Sequence, residues 1–342
     1  AAPLAAAEQR PPPQQQRRPN VLLIVLRSMS RGHSLITLPR TRAVLSFLGF
    51  SEFDRHVALE GDAPESNLEA LLLGESGDGG EGGGGGRGGE GDGKKKRGLL
   101  DRLRLAGYRT LDTEDTCVSS TPGAERSRLL ERTDPDGAAY VGEAFRRMLC
   151  VHFDAPNCVG RYSKAQHLTA YGGKFIVSAS AKEEGVATAP PPPWAAVLRF
   201  AEGDEDTMAL SGTLDPLLSR FLRWLDGMPM TGNGTDIMPA SGRRGGYQND
   251  TAVFVTSDHG IHYGPYLQSP AGRREYYEPL LFARLPPVMS GKDRGALKAN
   301  AAGGMWTTHS DVYETIVRVA TGQEGGGGGG TSGGVPLTEE LP

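Results

Sequence analysis

Residues 251–260 read TAVFVTSDHG: six residues rich in β-branched and aromatic side chains, then a polar Ser257-Asp258-His259-Gly260 cluster. A run that is apolar throughout, with no polar alternation, describes a strand buried on both faces, the situation of a parallel sheet covered by helices. Such sheets gather their chemistry in the loops beyond the carboxyl ends of the strands. Asp258 and His259 would bring one oxygen and one nitrogen donor to that place, a mixture that zinc or manganese accepts. Gly260 permits a sharp exit. By themselves the four polar residues fit better an ordinary loop in which Asp258 caps a turn and His259 is solvated, so the surrounding chain has to decide.

Working outward, the alternation of strands and helices continues in both directions. Upstream, residues 214–225 place Leu214, Leu217, Leu218, Phe221 and Leu225 on one helical face. Before them WAAVLRF (194–200) reads as a strand after a polyproline break at 190–193. Downstream, PLLFARLPP (279–287) is a further strand, and residues 306–320 form a closing helix. Near the start, VLLIVL (21–26) is another solid apolar run ending at Arg27. Residues 38–50 have helical spacing with a stop at Gly49. Residues 66–73 form a helix opened by a Ser66-Asn67-Leu68-Glu69 capping box and closed by Gly74. LLDRLRLAGYRTLDTED (99–115) reads as helix, glycine turn and strand, and 121–174 as largely helical. The pattern predicts an α/β fold with a mostly parallel central sheet and helices on both faces. Arg27-Ser28 and Ser257-Asp258-His259 then share one rim.

Composition sets the boundaries. Hydrophobic residues are 37% of the 342, and Gly 49 with Pro 24 exceed a fifth of the chain, concentrated in a few runs. Residues 1–18 read as a disordered lead-in, 77–98 as a Gly-rich insertion that cannot repay its ordering entropy, and 322–342 as a flexible tail. One domain is expected over 19–321. The net charge of −4 and the lack of a basic stripe exclude a nucleic-acid footprint; residues 94–97 are a short solvated basic run. The Gly-rich tract has no Gly-x-x-x-x-Gly-Lys-Ser/Thr spacing, which excludes a phosphate-binding loop of that kind. No stretch approaches the ~18 apolar residues of a membrane span. The chain opens AAPLAAAEQRPPPQQQRR, without a signal peptide, and reads as a fragment or processed form with no membrane anchor of its own. Cys117, Cys150 and Cys158 are too few for a disulfide framework and are not spaced as zinc ligands; one pair could bridge. The acceptor triplets Asn233-Gly-Thr235 and Asn249-Asp-Thr251 are consistent with a glycoprotein on a secretory route.

Eight segments stand in order along the chain: PNVLLIVLRSMSRG (19–32), GDAPESNLEALLLG (61–74), GYRTLDTED (107–115), CVGR (158–161), TLDPLLSRFLRWL (213–225), TAVFVTSDHGIHYG (251–264), YYEPLLFARLPP (276–287) and TTHSDVYETIV (307–317). Together they resemble the sulfatase-like branch of the alkaline phosphatase superfamily known as domain of unknown function 229. The resemblance implies hydrolysis or transfer of phosphate or sulfate esters with a divalent metal (zinc, manganese, calcium or magnesium). It implies a Thr, Ser or modified Cys nucleophile, and an ester substrate or anionic glycan as partner. It also implies an extracellular or secretory location.

Carried over residue by residue, the pattern makes Asp258 and His259 metal ligands, with His262 and His309 as further metal or substrate contacts. Two positions depart from it. The first strand should end in an acidic ligand and ends instead in Arg27, whose guanidinium has no lone pair to donate. Pro64 stands where the nucleophile belongs, leaving Ser66, two residues late, as the nearest hydroxyl. Asp204, Glu205 and Asp206 lie where related chains carry a His, and read as an exposed acidic loop. Two readings follow. In one, metal and turnover are lost, and Arg27 pairs with Asp258 and joins Arg31 in binding a substrate anion. In the other, an active hydrolase uses Ser66 or Ser28 as nucleophile.

Overall fold

A computed structural model describes residues 18–59, 64–74, 98–115, 158–181, 190–205, 207–228, 238–239, 245–322 and 334–339. The insertion at 77–97, the lead-in up to residue 17, Cys117, Cys150, Asn233, Asp206 and the helices expected over 121–157 lie outside the described residues.

Six strands form the main sheet: β1 (Asn20–Leu26), β2 (Ser51–Glu52), β3 (Arg109–Glu114), β6 (Trp194–Phe200), β7 (Thr251–Thr256) and β8 (Leu281–Arg284), in the order β2-β8-β7-β1-β6-β3. A separate small hairpin joins β4 (Cys158–Val159) and β5 (Tyr162–Ser163). β1, β3, β6 and β7 run parallel; at one edge β8 is antiparallel to β7, and β2 is antiparallel to β8, so the sheet is mixed but mostly parallel. All seven residues of β1 are buried. Because side chains alternate across a strand, Leu22, Ile24 and Leu26 enter one core and Val21, Leu23 and Val25 the other. That double burial is why VLLIVL has no polar alternation.

Helices cover both faces. On the first lie α2 (Pro39–Phe47), α5 (Lys164–Ser180) and α6 (Leu214–Leu225), contributing Leu45, Leu168 and Phe221 to the core. On the second lie α3 (Pro64–Leu73), α4 (Leu99–Leu105), α8 (Gly291–Ala302) and α9 (His309–Thr321), contributing Leu71, Leu103, Leu297 and Ile316. α1 (Arg31–Thr37) and α7 (Pro270–Tyr277) complete the set among the described residues. None of the described helices is long and apolar enough to cross a membrane.

Three local expectations change. The helix expected over 38–50 is the second of two, since Pro39 removes an amide and holds Leu38 out of the helical region at φ −121, ψ 41. α3 begins at Pro64, so Ser66 is its third residue and does not cap it. Residues 334–339 fall in the stretch expected as a flexible tail, yet Leu337 is fully buried and its carbonyl accepts from Asn300 Nδ2 at 2.9 Å.

Register places the site. β1 pairs β7 with Val25 opposite Thr256, and β6 with Leu26 opposite Phe200. Continuing two residues past Thr256 and Val25 brings Arg27 beside Asp258. The Arg27 amide still bonds the Phe200 carbonyl at 2.9 Å, so β6 delivers its following turn, residues 201–205, to the same place.

Candidate functional site

The rim begins at Ser28, whose φ of 58 is left-handed. For a residue with a Cβ this costs on the order of 1 kcal/mol. Three hydrogen bonds fix it: the Ser28 amide donates to Asp258 Oδ1 at 3.0 Å, the Met29 amide to Ser257 Oγ at 2.9 Å, and Ser30 caps α1 by accepting from the His33 amide at 2.8 Å. The turn thus holds Arg27 and Ser28 at the carboxyl end of β1 and ties them to the loop after β7.

Asp258 is the hub. Besides Ser28 it accepts from its neighbour's amide, His259, at 3.0 Å and from Ser257 Oγ at 3.3 Å. Its Oδ2 lies 3.5 Å from Arg27 Nε. Burial would push this carboxyl up, but His259, Arg27 and the two amides more than reverse it and hold Asp258 below the usual carboxylate range. Arg27 reaches on to Asp204, with Nη2 3.2 Å from Oδ2. Desolvation opposes its charge; Asp258, then Asp204 and Glu114, overcome that and keep it firmly protonated. The guanidinium therefore bridges two carboxylates.

Asp204 is gripped from several sides. Ser28 Oγ donates to its Oδ1 at 3.0 Å and Tyr263 Oη donates to the same oxygen at 3.1 Å. His262 Nδ1 stands 3.2 Å from Ser28 Oγ and 3.8 Å from Asp204. Burial and the adjacent His259 push His262 down to about 4, so it is neutral near pH 7. Asp204, expected in an exposed acidic loop, has a side chain only 16% exposed. Glu205 turns away instead, accepting from the Thr207 and Leu210 amides.

His259 is fully buried. Its Nδ1 lies 2.6 Å from the Gly260 carbonyl, to which it donates. Its Nε2 has no hydrogen-bond partner among the described residues and faces Asp258 Oδ2 at 3.5 Å. Gly260 is required by close approach: a Cβ there would lie 1.9 Å from the Glu275 carbonyl oxygen.

The remaining candidates fall elsewhere. His309 is buried behind the loop with Nε2 2.8 Å from the Ser257 carbonyl, and burial takes it down to about 4. It braces the loop from behind, its ring 4.7 Å from that of His56. Arg31 Nε pairs with Glu52 at 2.9 Å, on a carboxylate it shares with Arg42. Ser66 sits half-buried in α3, a helix packed against α9 and α4. Tyr263 was not singled out from sequence; a phenol directly after His262 in a rim loop was the available signal.

A model of a family of proteins of unknown function, DUF229, matches residues 2–188, more than half of the sequence. The chain belongs to the DUF229 family. No curated protein matches it significantly. Among solved structures, it is similar to the C-terminal periplasmic domain of EptC from Escherichia coli in complex with Zn, at TM-score 0.52 and 11% identity over 90% of this chain and 84% of that one. It is similar to the lipooligosaccharide phosphoethanolamine transferase A of Neisseria meningitidis, at TM-score 0.51 and 14% identity over 92% and 56%. It is also similar to Ps i-CgsB, crystallised with neocarrahexaose, at TM-score 0.51 and 13% identity over 90% and 73%. At these identities the likeness carries the fold, an alkaline-phosphatase-like α/β domain.

The fold raises the question of a divalent metal, and the donors of this DUF229 chain answer it poorly. The Nε2 of His259 beside Asp258 is one suitable feature. Against it, Arg27 stands within salt-bridge distance of both Asp258 and Asp204. Holding a divalent ion ~4 Å from a guanidinium costs about 8 kcal/mol even at an effective dielectric of 20. Among the described residues no group of three or more His, Cys, Asp or Glu is arranged to hold a metal ion. The residues present do not fit the ion.

Proposed function

We propose that this DUF229 chain is a metal-free, non-catalytic binding protein for phosphate or sulfate esters, including those on an anionic glycan. The observation that carries the reading is Arg27 bridging Asp258 and Asp204, a fixed positive charge where the family resemblance expects an acidic metal ligand. Without a Lewis acid, and with Pro64 at the nucleophile position, both supports of ester cleavage are missing. What remains is recognition. Arg27, the Ser28 and Tyr263 hydroxyls and His262 converge on Asp204, as they would on the oxygens of a bound oxyanion. Asp204 acts as an internal anion in that place, and an ester must displace it. The periplasmic setting of EptC supports a secretory or envelope location.

Removing the internal charge tests this. Asp204→Asn is expected to tighten inorganic phosphate binding by roughly tenfold, about 1.4 kcal/mol, in isothermal titration. Equal or weaker binding in the variant contradicts the proposal. A second reading rests on Ser28 itself, left-handed at a strand end with its Oγ on Asp204 and His262, as an activated nucleophile. Its residue is only 1% exposed, which disfavours attack on an ester. Chelator-resistant cleavage of a nitrophenyl ester that is abolished by Ser28→Ala would establish it.

A further inference from the structure

Residues 334–339 lie back along α9 and α8, held by hydrogen bonds between helix side chains and the backbone of the segment. The Val335 amide donates to Asp311 Oδ1 at 2.6 Å and the Leu337 amide to Thr315 Oγ1 at 2.7 Å. Asn300 Nδ2 donates to the Leu337 carbonyl at 2.9 Å and to the Glu339 carbonyl at 2.7 Å. The Glu339 amide closes a turn on the Pro336 carbonyl at 2.9 Å. One side chain goes deep: Leu337 is fully buried, in the core that also holds Leu297, Ala301 and Ile316. Gly334 is set by close approach, since a Cβ there would clash with the Ser310 carbonyl.

Fixed side chains that read a backbone, with one pocket for one side chain, are how a groove holds an extended peptide. The covalent connection does not impose the placement. Gly334 meets Ser310 near the start of α9, while Gly322 follows its end, a return of about 17 Å along the helix. The chain from 322 to 334 can span about 40 Å. The segment is therefore held by its own contacts, and the ordering of six residues opposes them, which makes the docking shallow.

The contacts continue to the rim. Asp311, which takes the Val335 amide on one oxygen, takes the Thr308 amide at 2.6 Å and the Thr308 hydroxyl at 2.9 Å on the other, capping the start of α9. His309, the first residue of α9, has its Nε2 2.8 Å from the carbonyl of Ser257, next to Asp258. We propose that residues 334–339 are a detachable latch, a peptide ligand carried in the same chain for the groove between α8 and α9. Its docking steadies α9 and, through His309, the loop 257–260. The proposal does not depend on what the Arg27 rim binds.

The full chain carrying Leu337→Asp is expected to undock the latch and open the groove. A labelled synthetic peptide of residues 331–342 is expected to bind this variant saturably, and at least about tenfold more tightly than it binds the parent, whose tethered copy competes at an effective concentration on the order of millimolar. The same peptide carrying Leu337→Asp is expected not to bind. Hydrogen exchange of the 257–260 amides is expected to quicken several-fold in the variant and to slow again when the parent peptide is added. Lack of saturable binding overturns the latch. Exchange that is unmoved in the variant, or not restored by the peptide, overturns its link to the rim. Should Leu337→Asp fail to fold, a protease site placed at 325–330 of the otherwise unchanged chain carries the test. After cleavage the segment is expected to separate on dilution in gel filtration, and its retention at every dilution overturns the latch.

Discussion

The Arg27→Asp variant is expected to bind one divalent cation per chain, where the unmodified protein binds none at stoichiometry. The substitution removes the charge that occupies the rim and places a third carboxylate beside Asp258 and Asp204, with the Nε2 of His259 as a nitrogen donor. An oxygen-rich set with one imidazole suits zinc or manganese. Metal-free, the variant carries clustered carboxylates without a counter-charge and should unfold at lower temperature than the parent. Saturating metal at ~100 times the dissociation constant restores about 2.7 kcal/mol. For a domain of this size that is a rise of roughly 5–10 °C in Tm. The check is a pair of thermal scans, with and without zinc or manganese, on both proteins. A metal-induced rise in the parent equal to that in the variant removes Arg27 from its assigned role.

Asp258→Ala is the second large effect, and it acts on stability. Asp258 is 1% exposed and receives the Ser28 amide, the His259 amide and the Ser257 hydroxyl as well as Arg27. Its loss strands several buried donors and half-unpairs a buried guanidinium, which costs about 3–5 kcal/mol. The left-handed turn at Ser28 also loses the bond that holds it. Asp204→Ala removes one arm of the Arg27 pair and two hydroxyl contacts but strands no backbone amide, so it should cost less than Asp258→Ala. Urea denaturation of the two variants measures the difference, and equal losses would mean that Asp258 is not the hub.

Much of this was readable from residues alone, for physical reasons. A strand buried on both faces has to be apolar at every position, so VLLIVL, WAAVLRF and TAVFVT announce the parallel core without a structure. Because ligands collect at carboxyl ends of such strands, Arg27 and Asp258 could be assigned to one rim before any distance was known. What the sequence hid is mostly directional. Nothing in PLLFARLPP distinguishes an antiparallel edge strand from another parallel one, yet β8 runs antiparallel to β7. α8 was missed because GKDRGALKANAA has two glycines and little apolar periodicity; its burial rests on Ala296, Leu297 and Ala301. His309 reads as a ligand in TTHSD, but whether a histidine faces a cavity or the back of a loop depends on packing, and here its Nε2 is spent on the Ser257 carbonyl. Asp204 looked exposed within an acidic run because its partners, Arg27, Ser28 and Tyr263, are distant in sequence.

Elemental analysis of the purified, unmodified protein after equilibration with zinc and manganese is the most direct measurement. Metal far below one ion per chain, with no cleavage of nitrophenyl phosphate or sulfate, is the predicted result. A stoichiometric ion accompanied by chelator-sensitive turnover would contradict the assignment of Arg27 to the place of the metal.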